Sequence, residues 1–175
     1  MGIIECIETS FRALLLEVTY DQITVAQICE RAAVSKKTFY KHFEGKHELL
    51  VAVLRNDLVM PVTNLREILP LDEIKSAPLL VMERMHQILY DNRQMYKSLI
   101  NNPGKAQMVE LFTNATYNLN LEIYGNYGLD PLECDYAAYF CAAASAMIQI
   151  RWLEQGCALD PKHMAKLNDT WVMSH

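Results

Sequence analysis

The side chains best equipped for chemistry in this 175-residue chain lie close together. Lys36, Lys37 and Lys41 place three ammonium groups within six residues, and Ser35, Thr38, Tyr40 and His42 add hydroxyl and imidazole groups around them. Such a set offers positive charge and hydrogen-bond donors together, which suits phosphate oxygens and the acceptor edge of guanine in the major groove of duplex DNA. Three lysines on a short helix are also an ordinary solvated face, so the elements that carry them decide between the two readings.

Other reactive side chains are scattered. His86 stands on an apolar stripe with Met82, Met85 and Leu89. It either orients a polar or anionic ligand or is a hydrogen-bonded core residue. Cys134 and Cys141, seven apart, invite a metal or redox-sensor reading, yet two turns separate them and no histidine is adjacent in sequence. The five cysteines are odd in number and never form Cys-x-x-Cys, so reduced, buried thiols are expected. A Gly-rich phosphate loop, Gly-x-Ser-x-Gly, His-Glu-x-x-His and carboxylates clustered at helical spacing are all missing from the sequence. Neither an enzyme nor a cofactor is expected.

The elements that must hold the lysines are legible. Ile3, Ile7, Phe11, Leu14 and Leu15 recur at three and four and predict a first helix, broken at Tyr20 to Ile23. Thr24 followed by Gln27 is a capping box that opens a two-turn helix to about Ala32. After a turn at Ala33 and Val34, Ser35 caps a second short helix, whose Phe39 and Phe43 point inward while Lys36, Lys37, Tyr40 and Lys41 point outward. A fourth helix starts near Lys46, carries Leu49, Leu50, Val53 and Leu54, and ends or kinks at Pro61. Two short capped helices, a tight turn and a basic outer face describe a helix-turn-helix over residues 23–50.

The pattern Thr-Val-x-x-Ile-x-x-x-Ala-x-Val-Ser-x-x-Thr-Phe-Tyr-x-x-Phe-x-x-Lys at residues 24–46 resembles the head of TetR-family transcriptional regulators. The resemblance implies that Thr24, Thr38, Tyr40, His42 and Lys46 touch phosphates, and that Ser35, Lys36, Lys37 and Lys41 line the groove-facing side. Two departures stand out. Ala33 occupies a turn position where the family usually has glycine, at a cost of about 1 kcal/mol if its φ is positive. Arg12 is the single Lys/Arg before residue 31, so minor-groove contacts from a basic arm are not expected.

Beyond the head, helices are predicted at about 76–92, 93–100, 105–124, 131–155 and 161–173, with turns at Asn-Pro-Gly, Gly-Leu-Asp-Pro and Leu-Asp-Pro. The fold class is therefore all-α, with about nine helices. A head at 1–46 precedes an effector-binding and dimerisation domain at 47–175. The segments Tyr136-Ala-Ala-Tyr-Phe and Arg151-Trp-Leu-Glu-Gln-Gly are similar to the C-terminal domains of regulators of dihydroxyacetone-kinase operons. The helix at 131–155 is apolar nearly all round. Cys134, Ala138, Cys141, Ser145, Ile148 and Trp152 form one stripe, and Tyr136, Phe140, Ala143, Met147 and Ile150 another. One stripe serves the internal core and the other a second copy, with Ala142 to Ala146 permitting close approach. Met82, Met85, His86 and Leu89, with Met108, Phe112 and Tyr117, are either adaptable walls of an effector pocket or plain core.

Half of the residues, 51%, are apolar, enough for a full core. No apolar run is long and unbroken enough to cross a bilayer, which leads us to expect a soluble, cytoplasmic protein. The net charge of −5 opposes a polyanion partner until it is divided. Residues 1–56 hold seven basic and seven acidic groups, so the whole negative excess lies after residue 56. The expected partners are double-stranded DNA, a second copy of the chain and an unidentified small-molecule effector. Effector binding is expected to move the fourth helix, change the separation of the two recognition helices and relieve repression. The alternative is a helical interaction or ligand-carrier module without specific DNA binding, separable by salt-dependent DNA affinity.

Overall fold

The computed structural model describes residues 2–60, 78–100, 104–125 and 128–173, and all statements of structure concern these. They form nine α-helices: α1 (Ile3–Glu17), α2 (Val25–Arg31), α3 (Lys36–Phe39), α4 (Lys46–Leu58), α5 (Pro78–Asp91), α6 (Arg93–Ile100), α7 (Gly104–Tyr124), α8 (Pro131–Glu154) and α9 (Pro161–Met173). A 3-10 turn over Tyr20–Gln22 separates α1 from α2. The all-α expectation holds throughout the described residues. Pro61, expected to end or kink α4, lies outside them.

Local chemistry sets the helix ends. Thr24 accepts from the Gln27 amide at 3.3 Å, and Gln27 Oε1 accepts from the Thr24 amide at 2.8 Å, closing the capping box of α2. Ser35 Oγ accepts from the Thr38 amide at 3.0 Å and starts α3. Asp130 and Asp160 each precede a proline at a helix start and accept from backbone amides of Leu132 and His163 at 2.9 and 3.0 Å.

The turn between α2 and α3 is a Schellman motif, in which Val34 N–H donates to the Cys29 carbonyl and Ala33 N–H to that of Glu30. Its left-handed position falls on Ala33, with φ of 53°, so the strain suspected from the missing glycine is present. α8 ends in the same way, through Gly156 at φ 71° and the bond from Cys157 N–H to the Trp152 carbonyl.

The core is continuous from the head into the C-terminal domain. Ile7, Phe11, Ile28 and Phe39 of the head belong to the same buried cluster as Leu49, Leu50, Leu89, Tyr96, Met108, Phe112 and Ile150. Ile3, predicted on the inner face of α1, is half exposed at the first turn of the helix.

α7 and α8 run antiparallel, as the bonds from Lys105 to Glu154 (2.7 Å) and from Asn120 to the Ala138 carbonyl (3.3 Å) show. Ala138, Ala142 and Ala146 recur every fourth residue and are buried, which lets the two backbones approach. The small residues expected to admit a second copy at Ala142 and Ala146 therefore serve packing within the chain. α5 packs along α9, and Ser145 Oγ donates to Asn168 Oδ1 at 3.1 Å between α8 and α9.

Candidate nucleic-acid interface and the domain behind it

Phe39 and Phe43 are buried with ring centroids 5.7 Å apart, and Ile28 is fully buried in the same cluster. By anchoring the inner side of α3, they turn its other side to solvent. Ser35, Lys36, Lys37, Tyr40, Lys41 and His42 are exposed, with Thr38 half buried. Among the described residues none of the three lysines is held in an ion pair. The result is a cationic ridge with the Tyr40 ring, 56% exposed, on its flank.

Several hydroxyls of this surface are already engaged by neighbouring side chains. Thr24 Oγ1 lies 2.8 Å from Gln27 Oε1, and the Ser35 and Thr38 hydroxyls pair at 2.8 Å. Lys46 differs most from its expected role. Its Nζ donates to the carbonyls of Tyr20, Asp21 and Ile23 at 2.9, 3.3 and 2.8 Å and sits 4.5 Å above the Tyr20 ring. The ammonium thus fastens the α1–α2 turn to the start of α4. What Lys46 retains toward a phosphate is its backbone N–H at the helix N-terminus.

A polar junction that the sequence did not disclose ties the head to the rest. Arg12 of α1 makes a two-pronged ion pair with Asp57 of α4, both bonds 2.7 Å, and Tyr96 of α6 donates its phenol to the same carboxylate at 2.6 Å. Burial, reinforced by the Asp57 carboxylate, pushes the Tyr96 phenol well above its ordinary pKa, so it is a constant donor. Arg12 and Asp57 are 45 positions apart, beyond the reach of helical periodicity.

Of the residues named for an effector pocket, Leu89, Met108 and Phe112 lie in the common core, with Met85 packed against it. His86 is fully buried and Met82 half buried. Tyr117 stands apart: its hydroxyl bonds to Asp135 and its ring meets Tyr139 edge-on at 6.0 Å. Nδ1 of His86 is 2.7 Å from the Met82 carbonyl, and its ring lies 5.3 Å from that of Trp152. Burial lowers the His86 pKa against the opposing effect of that backbone bond.

Cys134 and Cys141 are both engaged by Tyr124, through its carbonyl at 3.6 Å and its hydroxyl at 3.2 Å. All five cysteines are free thiols. Among the described residues no three His, Cys, Asp or Glu side chains gather into a metal-holding group.

On α8 the two predicted stripes separate. Cys134, Ala138, Ser145 and Trp152 are buried, whereas Tyr136, Phe140 and Met147 are 69, 72 and 51% exposed and Ala143 is half buried. Ile150, assigned to the outer stripe, is a correction: at 1% exposure it belongs to its own chain's core. Fourteen residues after Tyr136, a straight helix of 3.6 residues per turn has drifted off that stripe. Leu132, Tyr139 and, on α9, Trp171 are exposed as well.

Residues 12–53 match the family described as bacterial regulatory proteins, tetR family, and residues 77–172 match the family described as transcriptional regulator C-terminal region. No curated protein matches. Among solved structures, the dihydroxyacetone kinase operon activator DhaS is similar, with 17% identity, a TM-score of 0.70 and coverage of 98% of this chain and 94% of that one. The fatty acid degradation regulator FadR from Bacillus halodurans shows 15% identity and a TM-score of 0.71, covering 99% and 95%. NalD, the secondary repressor of the MexAB-OprM multidrug efflux pump in Pseudomonas aeruginosa, shows 16% identity and a TM-score of 0.68, covering 98% and 96%. At these identities the likeness is one of fold. Among the described residues no helix is long and apolar enough to cross a membrane.

Proposed function

Because the chain belongs to the TetR family of transcriptional regulators, with a helix-turn-helix DNA-binding head, we propose that it is a dimeric repressor that binds a palindromic operator and is released by a small-molecule effector. The observation that carries this reading is the exposed ridge Lys36, Lys37 and Lys41 on a short helix anchored by buried Phe39 and Phe43. Such a helix fits the major groove, where lysine ammoniums reach guanine edges and phosphates. Ser35 lies on the groove-facing side with the lysines, and Thr24, Thr38, Tyr40, His42 and the Lys46 backbone face phosphates. The unit that reads DNA is 1–46, and 47–175 is the unit that pairs and senses.

One short helix reads only a few base pairs, so two heads related by a two-fold axis are needed for a palindrome. The exposed apolar stripe Tyr136, Phe140 and Met147, with Ala143 between, supplies a surface that a second copy would cover. Effector binding among Met82, Met85, His86, Leu89, Met108 and Phe112 would act on the head through α4, whose Asp57 is tied to α1 and α6. The effector must favour the released arrangement by differential affinity, since equal affinity for both arrangements shifts nothing.

The test is selection of bound sequences from random duplex DNA at fixed salt, repeated with Lys36→Ala, Lys37→Ala and Tyr40→Ala. An enriched palindrome that the variants lose supports the regulator and supplies its operator. Weak binding without enrichment, unchanged by the substitutions, removes the proposal.

A further inference from the structure

The crevice where α1 meets the corner between α5 and α6 holds a cavity of about 340 Å³. Arg12 and Leu16 line it from the head, and Asp91, Arg93 and Met95 line it from the C-terminal domain. Its size falls in the lower part of the range of small-molecule sites, about 300–1,000 Å³. Among the described residues neither Arg93 nor Asp91 is in an ion pair, although both line this one cavity. Arg93 Nη1 donates to the Tyr90 carbonyl at 2.8 Å, and the guanidinium lies 4.4 Å from the centre of the Tyr90 ring. Most of its five N–H groups are left for another partner. Asp91 Oδ1 accepts from the Gln87 side chain at 2.8 Å, and the carboxylate stands at the C-terminal end of α5, where the helix dipole disfavours negative charge. Arg12 also keeps donors in hand, because two of its five N–H groups go to Asp57 and a third faces the Met95 sulfur at 3.9 Å.

The charges of the lining decide which ligand fits. Asp57 cancels the charge of Arg12, so what remains is the guanidinium of Arg93 and the carboxylate of Asp91. A plain anion gains from Arg93 and is repelled by Asp91, and a plain cation meets the reverse. A molecule that bears both charges gains at both ends. Leu16, 60% exposed, and Met95 give the same cavity an apolar wall, which suits a short apolar portion between or beside those charges.

We propose that this cavity is a binding site for a small zwitterion of the α-amino-acid class, separate from the effector pocket placed among Met82, His86 and Phe112. The ligand carboxylate bonds to Arg93 and to the remaining N–H groups of Arg12, the ammonium pairs with Asp91, and the side chain lies on Leu16 and Met95. Since α1 belongs to the head and Asp91 and Arg93 to the C-terminal domain, a bound ligand bridges the two beside the Arg12–Asp57–Tyr96 junction.

The test is equilibrium dialysis of the full-length chain against labelled leucine, methionine and glutamine, without DNA. At least one of the three should bind saturably. Its relatives without the ammonium or without the carboxylate, which for leucine are 4-methylpentanoate and isopentylamine, should compete only at concentrations about tenfold higher or more, since each lacks one charge-assisted contact. Arg93→Gln and Asp91→Asn should each weaken binding by about tenfold or more on the same ground. Lys97→Gln, which removes a charge from α6 outside the cavity, should leave binding unchanged. Arg93→Gln also gives up its place on Tyr90, so circular dichroism and melting accompany it; Asp91 is exposed, and its exchange for asparagine keeps an acceptor for Gln87. No saturable binding of any of the three amino acids overturns the inference. So does binding that either cavity variant retains in full, or competition by the carboxylate alone as strong as by the amino acid. Operator binding does not enter the measurement, so each of these failures leaves the regulator reading standing, and loss of that reading leaves the site testable.

Discussion

Lysines of one head have opposite duties, and the difference is a matter of where each ammonium ends. Lys37 projects into solvent, whereas Lys46 satisfies three carbonyls of the α1–α2 turn. Lys37→Ala should weaken DNA binding, lower the salt slope by about 1 and leave the melting temperature unchanged. Lys46→Met should instead lose stability by about 1–3 kcal/mol, because the carbonyls lose their donor, and DNA affinity should fall only as the head unfolds. Thermal melting beside fluorescence anisotropy separates the two. His86 makes a pH prediction. Its native pKa is lowered by burial, so below its ordinary value of about 6.5 the unfolded chain binds the proton more readily than the folded one. The stability it contributes is complete above that value and is lost as pH falls through it toward the lower native value. Urea unfolding between pH 7.5 and 5.5 should show this decline, and His86→Phe should flatten it.

The elements of the head are short, and their ends are secured by side chains rather than by length. α2 and α3 span seven and four residues, below what an isolated helix sustains in water, so caps and tertiary packing maintain them. Ala33 absorbs the left-handed turn between them without glycine, a local cost that the buried Ile28, Phe39 and Phe43 offset. Between elements, the Arg12–Asp57–Tyr96 junction joins α1, α4 and α6. Asp57→Asn leaves the Arg12 guanidinium and Tyr96 hydroxyl with a weaker acceptor. Because the pair is partly exposed, a loss of about 1–3 kcal/mol is expected rather than the larger cost of a fully buried pair. A double-mutant cycle with Tyr96→Phe should show coupling, and additive effects would show that the junction is not a unit.

At the scale of the whole molecule, one continuous core joins head and domain, and the outer side of α8 lies outside that core. Tyr136, Phe140 and Met147 spread a solvent-facing apolar stripe along a helix about 36 Å long. Phe140→Glu should place charge in the centre of the proposed dimer face. Sedimentation should then report a monomer with unchanged helicity, and affinity for a full palindrome should fall to that of a half-site. A variant that remains dimeric would place the pairing surface elsewhere.

Helix positions, caps, the basic ridge and the family were all determined by the sequence alone, because capping, 3.6-residue periodicity and the 24–46 pattern are local and repeat within a few residues. Even the strained turn was visible, as an alanine standing where a left-handed residue is needed. Only the tertiary structure decided that the Lys46 ammonium is spent inside the head, that Ile150 is core, and that Arg12, Asp57 and Tyr96 meet. Each of these depends on which faces of sequence-distant helices come together. Periodicity shows that a side chain has an inner or outer face, but not which distant partner waits there.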